Sequence, residues 1–186
     1  MVKSVPVPKI SVTEPDWSRE KPRQWWDPSR QLLKSIRAYQ KWHERGGIMG
    51  RFLCRVNVLQ HRFWSVITGT DIPINCQIAG GLLLPHPNGI VIHPSVSVGP
   101  NCLIFQQVTM VRNVKIGGHV DIGAGAKILR DVRIGDHAKI GANAVVLCDV
   151  PAGATAVGVP ARIITHSQSE TQENSDCETP ISQTTS

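Results

Sequence analysis

The stretch that decides the fold is "KIGGHVDIGAGAKILRDVRIGDHAKIGANAVV" (residues 115–146), where an aliphatic residue returns at every sixth position. The same spacing runs on in both directions and gives eleven consecutive hexads. The first positions are Ile92, Val98, Ile104, Met110, Ile116, Ile122, Ile128, Ile134, Ile140, Val146 and Ala152. The fifth positions are small or β-branched: Val96, Cys102, Val108, Val114, Val120, Ala126, Val132, Ala138, Ala144, Val150 and Ala156.

A period of six cannot mark one face of a helix, because at 3.6 residues per turn every sixth residue rotates around the cylinder. It does suit a solenoid of short strands, in which three hexads form one triangular coil and the pattern repeats every 18 residues. The first residue of each hexad then points inward. Glycine recurs at the second position, where we expect it to turn the corner. An ordinary β-sandwich is the alternative, but it would need turns of varied length.

The coil is flanked by segments of different character. Residues 1–27 are rich in proline and charge and predict an extended or disordered arm. Residues 28–70 predict a helical region: Asp27 can cap the first helix, Gly46 and Gly47 end it, and a second helix ends near Gly69. Residues 71–165 form the predicted β-helix domain, and the register can be run back to Ile74 and Ile78. Residues 166–186 predict a disordered tail.

The charge is strongly asymmetric along the chain. Residues 1–70 carry 13 Lys and Arg against 5 Asp and Glu, whereas residues 166–186 carry none against 4. A solvated basic surface is the commoner meaning of such a bias, and no nucleic-acid motif accompanies it, so we expect no nucleic-acid partner. The five scattered cysteines form no CxxC pair, which favours free thiols and a cytoplasmic protein. No apolar run is long enough for an export signal or a membrane span, so we expect no membrane partner.

One histidine stands where the register fails. His86 lies between Pro85 and Pro87 in "LLLPHPNGIVIH" (residues 82–93), immediately before the long regular run. The prolines stiffen the backbone on both sides of the imidazole, and a deviation from a regular solenoid is a place where chemistry can be added. The alternative is that His86 only decorates a turn.

Several motifs carry a family resemblance. They are "DIPINC", "LLLPHPNGIVIHPSVSVGPNCLIFQQVT", "KIGGHVDIGAGAKILRDVRIGDHAKIGANAVVL" and "VPAGATAVGVPARII". Together they resemble the serine acetyltransferase family of hexapeptide-repeat acyltransferases over roughly residues 30–165. The resemblance implies a left-handed parallel β-helix, trimers or dimers of trimers, and acetyl-CoA bound between subunits.

The resemblance also implies roles for individual residues. His86 precedes "PNGIVI" at the place of the family's general base, and Asp71 falls at the place of the carboxylate that orients it. Such a base is needed because an alcohol is a poor nucleophile until an imidazole near its working pKa takes the hydroxyl proton. For acetyl-CoA we expect contacts from small residues that admit the pantetheine arm and from basic residues that meet phosphates. The candidates are Ala126, Lys127, Lys139, Ala144, Gly158 and Arg162.

The chain departs from the family in three places. Pro85 stands where serine-binding members have an acidic residue. The loop with an Arg-His pair for the substrate carboxylate is absent, which leaves Arg112 as the nearest candidate for that contact. The isoleucine end that docks into cysteine synthase is also missing, so a complex with that enzyme is doubtful. The resemblance therefore supports acetyl transfer better than it supports serine as the acceptor.

Three other functions stay open. The acceptor could be a sugar hydroxyl, as in exopolysaccharide or capsule O-acetyltransferases with the same coil. A zinc site like that of β-helical carbonic anhydrases would use His119 and His137, which are 18 residues apart and should stack, but no H-x4-H pair occurs and we expect no metal. A non-catalytic scaffold is the third. The preferred hypothesis is an acetyl-CoA-dependent serine O-acetyltransferase of cysteine biosynthesis.

Overall fold

A computed structural model describes residues 10–164, so the predicted acidic tail lies outside the described residues. Two helices, α1 (Pro28–Arg45) and α2 (Gly47–Thr68), precede a coil of very short strands. The strands are β1 (Gln77–Ile78), β2 (Val91–Ile92), β3 (Ser97–Val98), β4 (Leu103–Ile104), β5 (Thr109–Met110), β6 (Lys115–Ile116), β7 (Asp121–Ile122), β8 (Lys127–Ile128), β9 (Arg133–Ile134), β10 (Lys139–Ile140), β11 (Val145–Val146), β12 (Thr155–Val157) and β13 (Arg162–Ile164).

The strands stack into three parallel sheets, one on each face of a triangular prism. Face 1 contains β2, β5, β8 and β11; face 2 contains β1, β3, β6 and β9; face 3 contains β4, β7, β10, β12 and β13. In each two-residue strand the first side chain points outward and the second points inward, and the inward aliphatic residues are at most 5% exposed. Each inward column is therefore a ladder of packed aliphatic groups. The β-helix predicted from the hexads is confirmed.

The repeat is regular in the middle of the coil and changes by two residues at each end. Strand partners are 18 residues apart from β2 to β11, as in Val91↔Thr109. In the first coil they are 20 apart, as in Gln77↔Ser97, and in the last coil they are 16 apart, as in Lys139↔Thr155. The eleven hexads are therefore confirmed from Ile92 onward but wrong at the last one, and the extension of their register back to Ile74 is also wrong. Ile72 and Ile78, not Ile74, take the inward position at the start; Val150 and Ala156, not Ala152, take it at the finish.

The corners are built differently from the prediction. The backbone enters the left-handed region at the fourth position of the hexad, as at Asn101 (φ 62°) and Asn113 (φ 63°). The recurrent glycines at the second position serve close packing instead: a Cβ on Gly99 would lie 2.4 Å from the carbonyl oxygen of Gly117 in the next coil. Asparagine tolerates the left-handed conformation through local hydrogen bonding, whereas only glycine fits against the neighbouring backbone.

Three edges join the faces. The His86 edge links face 3 to face 1 through residues 85–90, 105–108, 123–126 and 141–144. The Arg112 edge links face 1 to face 2 through residues 93–96, 111–114 and 129–132. The arm edge links face 2 to face 3 through residues 79–82, 99–102, 117–120 and 135–138.

Helix α1 confirms the helix predicted after Asp27, although the carboxylate makes no capping bond and instead pairs with Arg30 Nη1 at 3.1 Å. Its apolar residues Leu32, Leu33 and Ile36 are at most 1% exposed and join the core of the first coil. The second predicted helix is also confirmed as α2, which ends at Gly69 in the left-handed conformation.

Helix α2 turns much of its apolar surface outward. Asn57, His61 and Thr68 are buried on the side that faces the protein. Large apolar side chains on the other side are exposed at spacings of three and four residues: Ile48, Met49, Phe52, Val56, Leu59, Phe63, Val66 and Ile67. The sequence pattern therefore predicted the helix correctly. It did not predict that the more apolar side of α2 would face away from the rest of the protein.

The arm is held against the coil over residues 10–27, where the sequence predicted an extended or disordered segment. The side chain of Asn101 on the arm edge accepts from the backbone N–H of Asp16 at 2.7 Å and donates to the carbonyls of Ser11 and Glu14, both at 2.8 Å. These three bonds satisfy backbone groups that no strand pairs, which explains how a proline-rich segment becomes ordered.

The open lower end of the coil is closed by an ion pair. Glu20 and Arg37 lie 2.8 Å apart, with side chains only 7% and 17% exposed. Glu20 accepts from the backbone N–H of Leu82, and Arg37 donates to the carbonyls of Ile78 and Ala79. The pair thus supplies partners for backbone groups of the first coil that have no coil beneath them.

The upper end is closed by β13, which runs antiparallel to β12 on face 3. Of the cysteines, Cys54, Cys76 and Cys102 are free thiols, as expected, whereas Cys148 is disulfide-bonded. Burial raises the pKa of both Cys76 and Cys102 to about 11, so these two thiols stay protonated at neutral pH. Within residues 10–164 no helix is both long enough and apolar enough to cross a membrane.

Candidate functional site

The two residues added to the first coil lie in the turn that holds His86. Face positions are six residues apart from Asp71 to Gln77 and from Gln77 to Leu83, but Leu83 and the next face position, Val91, are eight apart. The wider turn is pinned at Gly89, whose N–H donates to Gly69 O at 2.8 Å. Because this turn has two more residues than the others, His86 lies outside the repeating hexad pattern. Its side chain is exposed. The predicted failure of the register is confirmed here.

Asp71 lies beside this turn at the start of face 1. It pairs with Val91 in a parallel bridge, its N–H donates to Ile90 O at 2.8 Å, and its carbonyl accepts from Ile92 N–H at 2.9 Å. The structure therefore brings Asp71 and His86 to the same corner of the first coil. Both side chains are exposed and no hydrogen bond joins them.

A cavity of about 600 Å³ opens next to the same turn. Leu82, Leu83, Leu84 and Pro85 of the first coil form one wall, and the ends of both helices form another. The arm forms the remaining wall, with Arg23, Gln24 and Trp26. The volume lies within the range of small-molecule sites, and the lining mixes apolar with polar and charged residues.

The His86 edge continues upward from this cavity as a column of small residues. The second coil places Gln106 above the turn, and its side-chain oxygen is buried with no hydrogen-bond partner among residues 10–164. The third and fourth coils place Gly123, Ala124 and Ala142 in the column. A buried carbonyl without a donor is costly, so this position suits a ligand that brings an N–H group.

Two of the predicted cofactor residues reach the same edge. Lys127 donates from Nζ to Gln107 O at 2.7 Å, which holds its ammonium group over the second coil. Gly158 lies at the top, where its carbonyl accepts from Val145 N–H at 3.0 Å. His86 and Gly158 are thus separated by four coil spacings, or roughly 19 Å.

The sequence of this chain is similar to a hexapeptide-repeat family model and to several known proteins. The family model described as "Bacterial transferase hexapeptide (six repeats)" matches residues 113–148. A serine acetyltransferase of Mycobacterium tuberculosis is 39% identical over 114 residues, which are 57% of this chain and 50% of that protein. One of Helicobacter pylori strain J99 is 41% identical over 107 residues, which are 53% of this chain and 63% of that protein.

The fold of this chain is also similar to solved structures of serine acetyltransferases. A serine acetyltransferase in complex with CoA superposes with a TM-score of 0.64 at 34% identity, covering 75% of this chain and 58% of the other. The Neisseria gonorrhoeae serine acetyltransferase in complex with serine gives a TM-score of 0.64 at 32% identity, with the same coverage. In sequence and in fold this chain is thus similar to serine acetyltransferases. It spans about half the length of the curated relatives it matches.

The other predicted site residues lie on a different edge or on a face of the prism. Arg112 is on a different edge, so within one chain it does not meet His86. Lys139 lies on face 3, directly above Asp121 in the preceding coil, and no salt bridge joins the two side chains. Arg162 begins β13 on the same face.

Ala126 and Ala144 correct the prediction. Both are 0% exposed and point into the prism, so their side chains cannot touch a cofactor. Sequence position alone placed them near the small outward residues, but they occupy the fifth, inward position of the hexad. Their neighbours Ala124 and Ala142 face the edge instead.

His119 and His137 lie one above the other on successive coils, as predicted. On this arm edge their rings meet edge to face, with the Nδ1 atoms 2.8 Å apart. Partial burial lowers the pKa of His119, and the nearby charge of His137 lowers it further, while Asp121 acts in the opposite direction. Over the described range 10–164, no group of three or more His, Cys, Asp or Glu side chains is arranged to hold a metal ion.

Sequence reasoning missed the residues of the arm. Arg23, Gln24 and Trp26 line the cavity beside His86, yet they are about 60 positions away in sequence. The only signal was the concentration of basic and aromatic residues before α1, which indicated a surface but not its location. Only the packing of the arm on the coil brings them to the site.

Proposed function

We propose that this chain transfers the acetyl group of acetyl-CoA to the hydroxyl of a small acceptor, L-serine. The observation that supports the proposal best is the widened turn: His86 and Asp71 lie at one corner, beside a cavity, in a chain similar to serine acetyltransferases in sequence and fold. The related structures hold CoA in one case and serine in another.

His86 acts as the general base. Its neutral imidazole takes the proton of the acceptor hydroxyl while the oxygen attacks the carbonyl carbon of the thioester. A carbon–oxygen bond forms and the carbon–sulfur bond breaks. The imidazolium then returns its proton to the departing thiolate, so His86 ends the cycle neutral. The exposed position of His86 on the edge leaves it accessible to both substrates.

Asp71 acts as a positioning residue. A carboxylate on the far ring nitrogen would fix the imidazole tautomer and stabilise the imidazolium that develops. The parallel bridge to Val91 holds the Asp71 backbone at the end of the His86 turn. A change of side-chain rotamer on substrate binding would bring the two groups together, since catalytic hydrogen bonds often tighten only in the complex.

Acetyl-CoA would lie along the His86 edge. A rotation of the Gln106 side chain would bring its buried, unpartnered oxygen to an amide N–H of the pantetheine arm, and the small residues above it leave room for that arm. Lys127, Lys139 and Arg162 are candidates for the phosphates, with Gly158 at the upper end of the edge. A homotrimer or dimer of trimers in the cytoplasm, with a neighbouring subunit covering this edge, completes the proposal.

The test is a CoA-release assay with purified protein and L-serine. His86→Ala should lower kcat/KM about 10²- to 10⁴-fold, the usual contribution of a general base, and Asp71→Asn should lower it less. His93→Ala is the control, because His93 is an exposed histidine on a different edge that bonds only Ser95. Equal activity of His86→Ala and wild type would contradict the proposed base.

A sugar hydroxyl is the second candidate acceptor. The cavity of about 600 Å³ is much larger than serine requires, and Pro85 replaces the acidic residue of serine-binding relatives. A panel of sugars in the same assay separates the two acceptors: turnover with a sugar and none with L-serine would select this alternative.

A further inference from the structure

The cavity beside His86 carries an excess of positive charge from the arm. Its ionisable lining residues are Arg23, Arg30 and Asp27, so two guanidinium groups face one carboxylate. An anionic group entering this cavity would gain from the surplus positive charge.

The two arginines differ in whether the guanidinium group already has a partner within the protein. Arg30 donates from Nε to Arg19 O at 3.0 Å and from Nη1 to Asp27 at 3.1 Å, so its charge is already balanced. Asp27 also accepts from the backbone N–H of Arg23 at 3.2 Å, which fixes the loop that carries Arg23. The guanidinium of Arg23 itself has no partner within residues 10–164. Arg23 is therefore the unbalanced charge of the cavity.

Uncharged polar groups accompany it. Gln24, Ser29 and Asn88 line the cavity and their side chains make no hydrogen bond within the described chain. Asn88 belongs to the same turn as His86, so the cavity and the proposed base share one segment of backbone. His86 itself does not line the cavity, but its neighbours Pro85 and Pro87 do, so a ligand held by Arg23 would lie next to the turn that carries His86.

We infer that Arg23 is the specificity-determining contact for an acceptor that bears a carboxylate, with the acceptor hydroxyl directed toward His86. Arginine suits this role because its planar donors match a carboxylate bidentately. The arm then supplies the contact for which Arg112 was the candidate. This inference rests on the proposed function for the direction of the hydroxyl, but the recognition of the carboxylate can be tested without turnover.

The experiment measures binding by isothermal titration calorimetry with matched pairs of probes. L-serine is compared with L-serinamide, and D-glucuronate with D-glucose, because the members of each pair differ mainly in the carboxylate. Wild-type protein should bind the carboxylate member of at least one pair more tightly. Arg23→Gln should weaken that binding about tenfold to a hundredfold, the usual value of a hydrogen-bonded charge, and leave the neutral member unchanged. Arg23→Lys should restore part of the loss.

Lys21→Gln is the matched control, because it removes one positive charge from the same exposed arm outside the cavity. The inference is overturned if neither carboxylate binds better than its neutral partner. It is also overturned if Arg23→Gln affects both members equally, or if Lys21→Gln has the same effect. Selective, Arg23-dependent binding without any CoA release would sink the proposed transferase activity and leave the carboxylate site standing.

Discussion

The coil and helix α2 use apolar residues in opposite ways. Along the coil, the inward residue of each strand is at most 5% exposed, and the charged residues stand outside. Along α2, Ile48 is 89% exposed and Val66 is 81% exposed, while Asn57 and His61 are buried. The alternating pattern of a strand therefore specifies both which residues face the core and which face solvent, because the coil encloses its own core. A helix pattern specifies only which side is apolar.

The largest effect is expected where the arm and α1 meet the first coil. Arg37→Ala should lower the free energy of unfolding by about 3–5 kcal/mol, because it leaves Glu20 as an unpaired buried carboxylate and frees two carbonyls of the first coil. Urea denaturation measures this loss. Arg45→Ala, on an exposed arginine at the end of α1, should stay within about 0.5 kcal/mol of wild type. Similar values for the two variants would show that the junction does not depend on the ion pair.

The same substitution in the two regions should give different results. Ile122→Ala removes a fully buried side chain from an inward ladder and should cost about 2–5 kcal/mol. Ile48→Ala removes one that is already 89% exposed and should change the stability by less than about 0.5 kcal/mol. Denaturant titrations of both variants measure the contrast. A large cost for Ile48→Ala would mean that α2 is covered in the native assembly.

A smaller effect is expected where the arm leans on the coil. Asn101→Gly keeps the left-handed turn but deletes three hydrogen bonds to the arm, so it should cost about 1–3 kcal/mol and expose residues 10–27 to proteases. Asn113→Gly is the matched control, since this residue has nearly the same φ and its side chain bonds only Asp131. Equal protease sensitivity of the two variants would argue against the role of Asn101.

The smallest expected effect is a pH dependence of the stability, caused by His61 on the buried side of α2. Burial lowers the pKa of His61 below its usual 6.5, and a hydrogen bond with the backbone of Ile72 opposes this only in part. The native state therefore binds fewer protons than the unfolded state near this pH. The contribution to stability is present above about pH 6.5 and is lost as the pH falls toward the lowered native pKa.

Urea titrations between pH 7.5 and 5 measure this slope, which His61→Gln should flatten. His119 has a lowered pKa as well, so a weaker slope of the same sign should remain in the variant. A wild-type stability that rises on acidification would contradict the buried neutral state of His61.

The central coil could be predicted from the sequence because each hexad fixes its own burial. Ile104 or Ile128 needs no distant information to be placed inside. The break at the His86 turn could be predicted, but its size and the step of two residues after Val146 could not, since the hexads do not encode how the helices and β13 meet the coil. The role of Gly99 was missed for a related reason: a close contact between coils is invisible along the chain.

The candidate site divides in the same way. His86 and Asp71 could be proposed because a broken register and a family motif coincide on them. Arg23 and Trp26 could not, because the arm carries no periodicity that predicts where it lies on the coil. Ala126 and Ala144 were placed wrongly by two positions, because at this corner the third residue of the hexad (Ala124, Ala142) faces the groove and the fifth faces the core.

The closed ends of the coil have a consequence for how copies of this protein behave in solution. A stack of parallel strands left open at both ends is a template on which identical molecules could add end to end and grow into fibres. The Glu20–Arg37 pair with α1 occupies the lower rim, and the reversed strand β13 occupies face 3 of the upper rim. A chain truncated before Val159 would present unpaired backbone there, and polymerisation would become its main hazard.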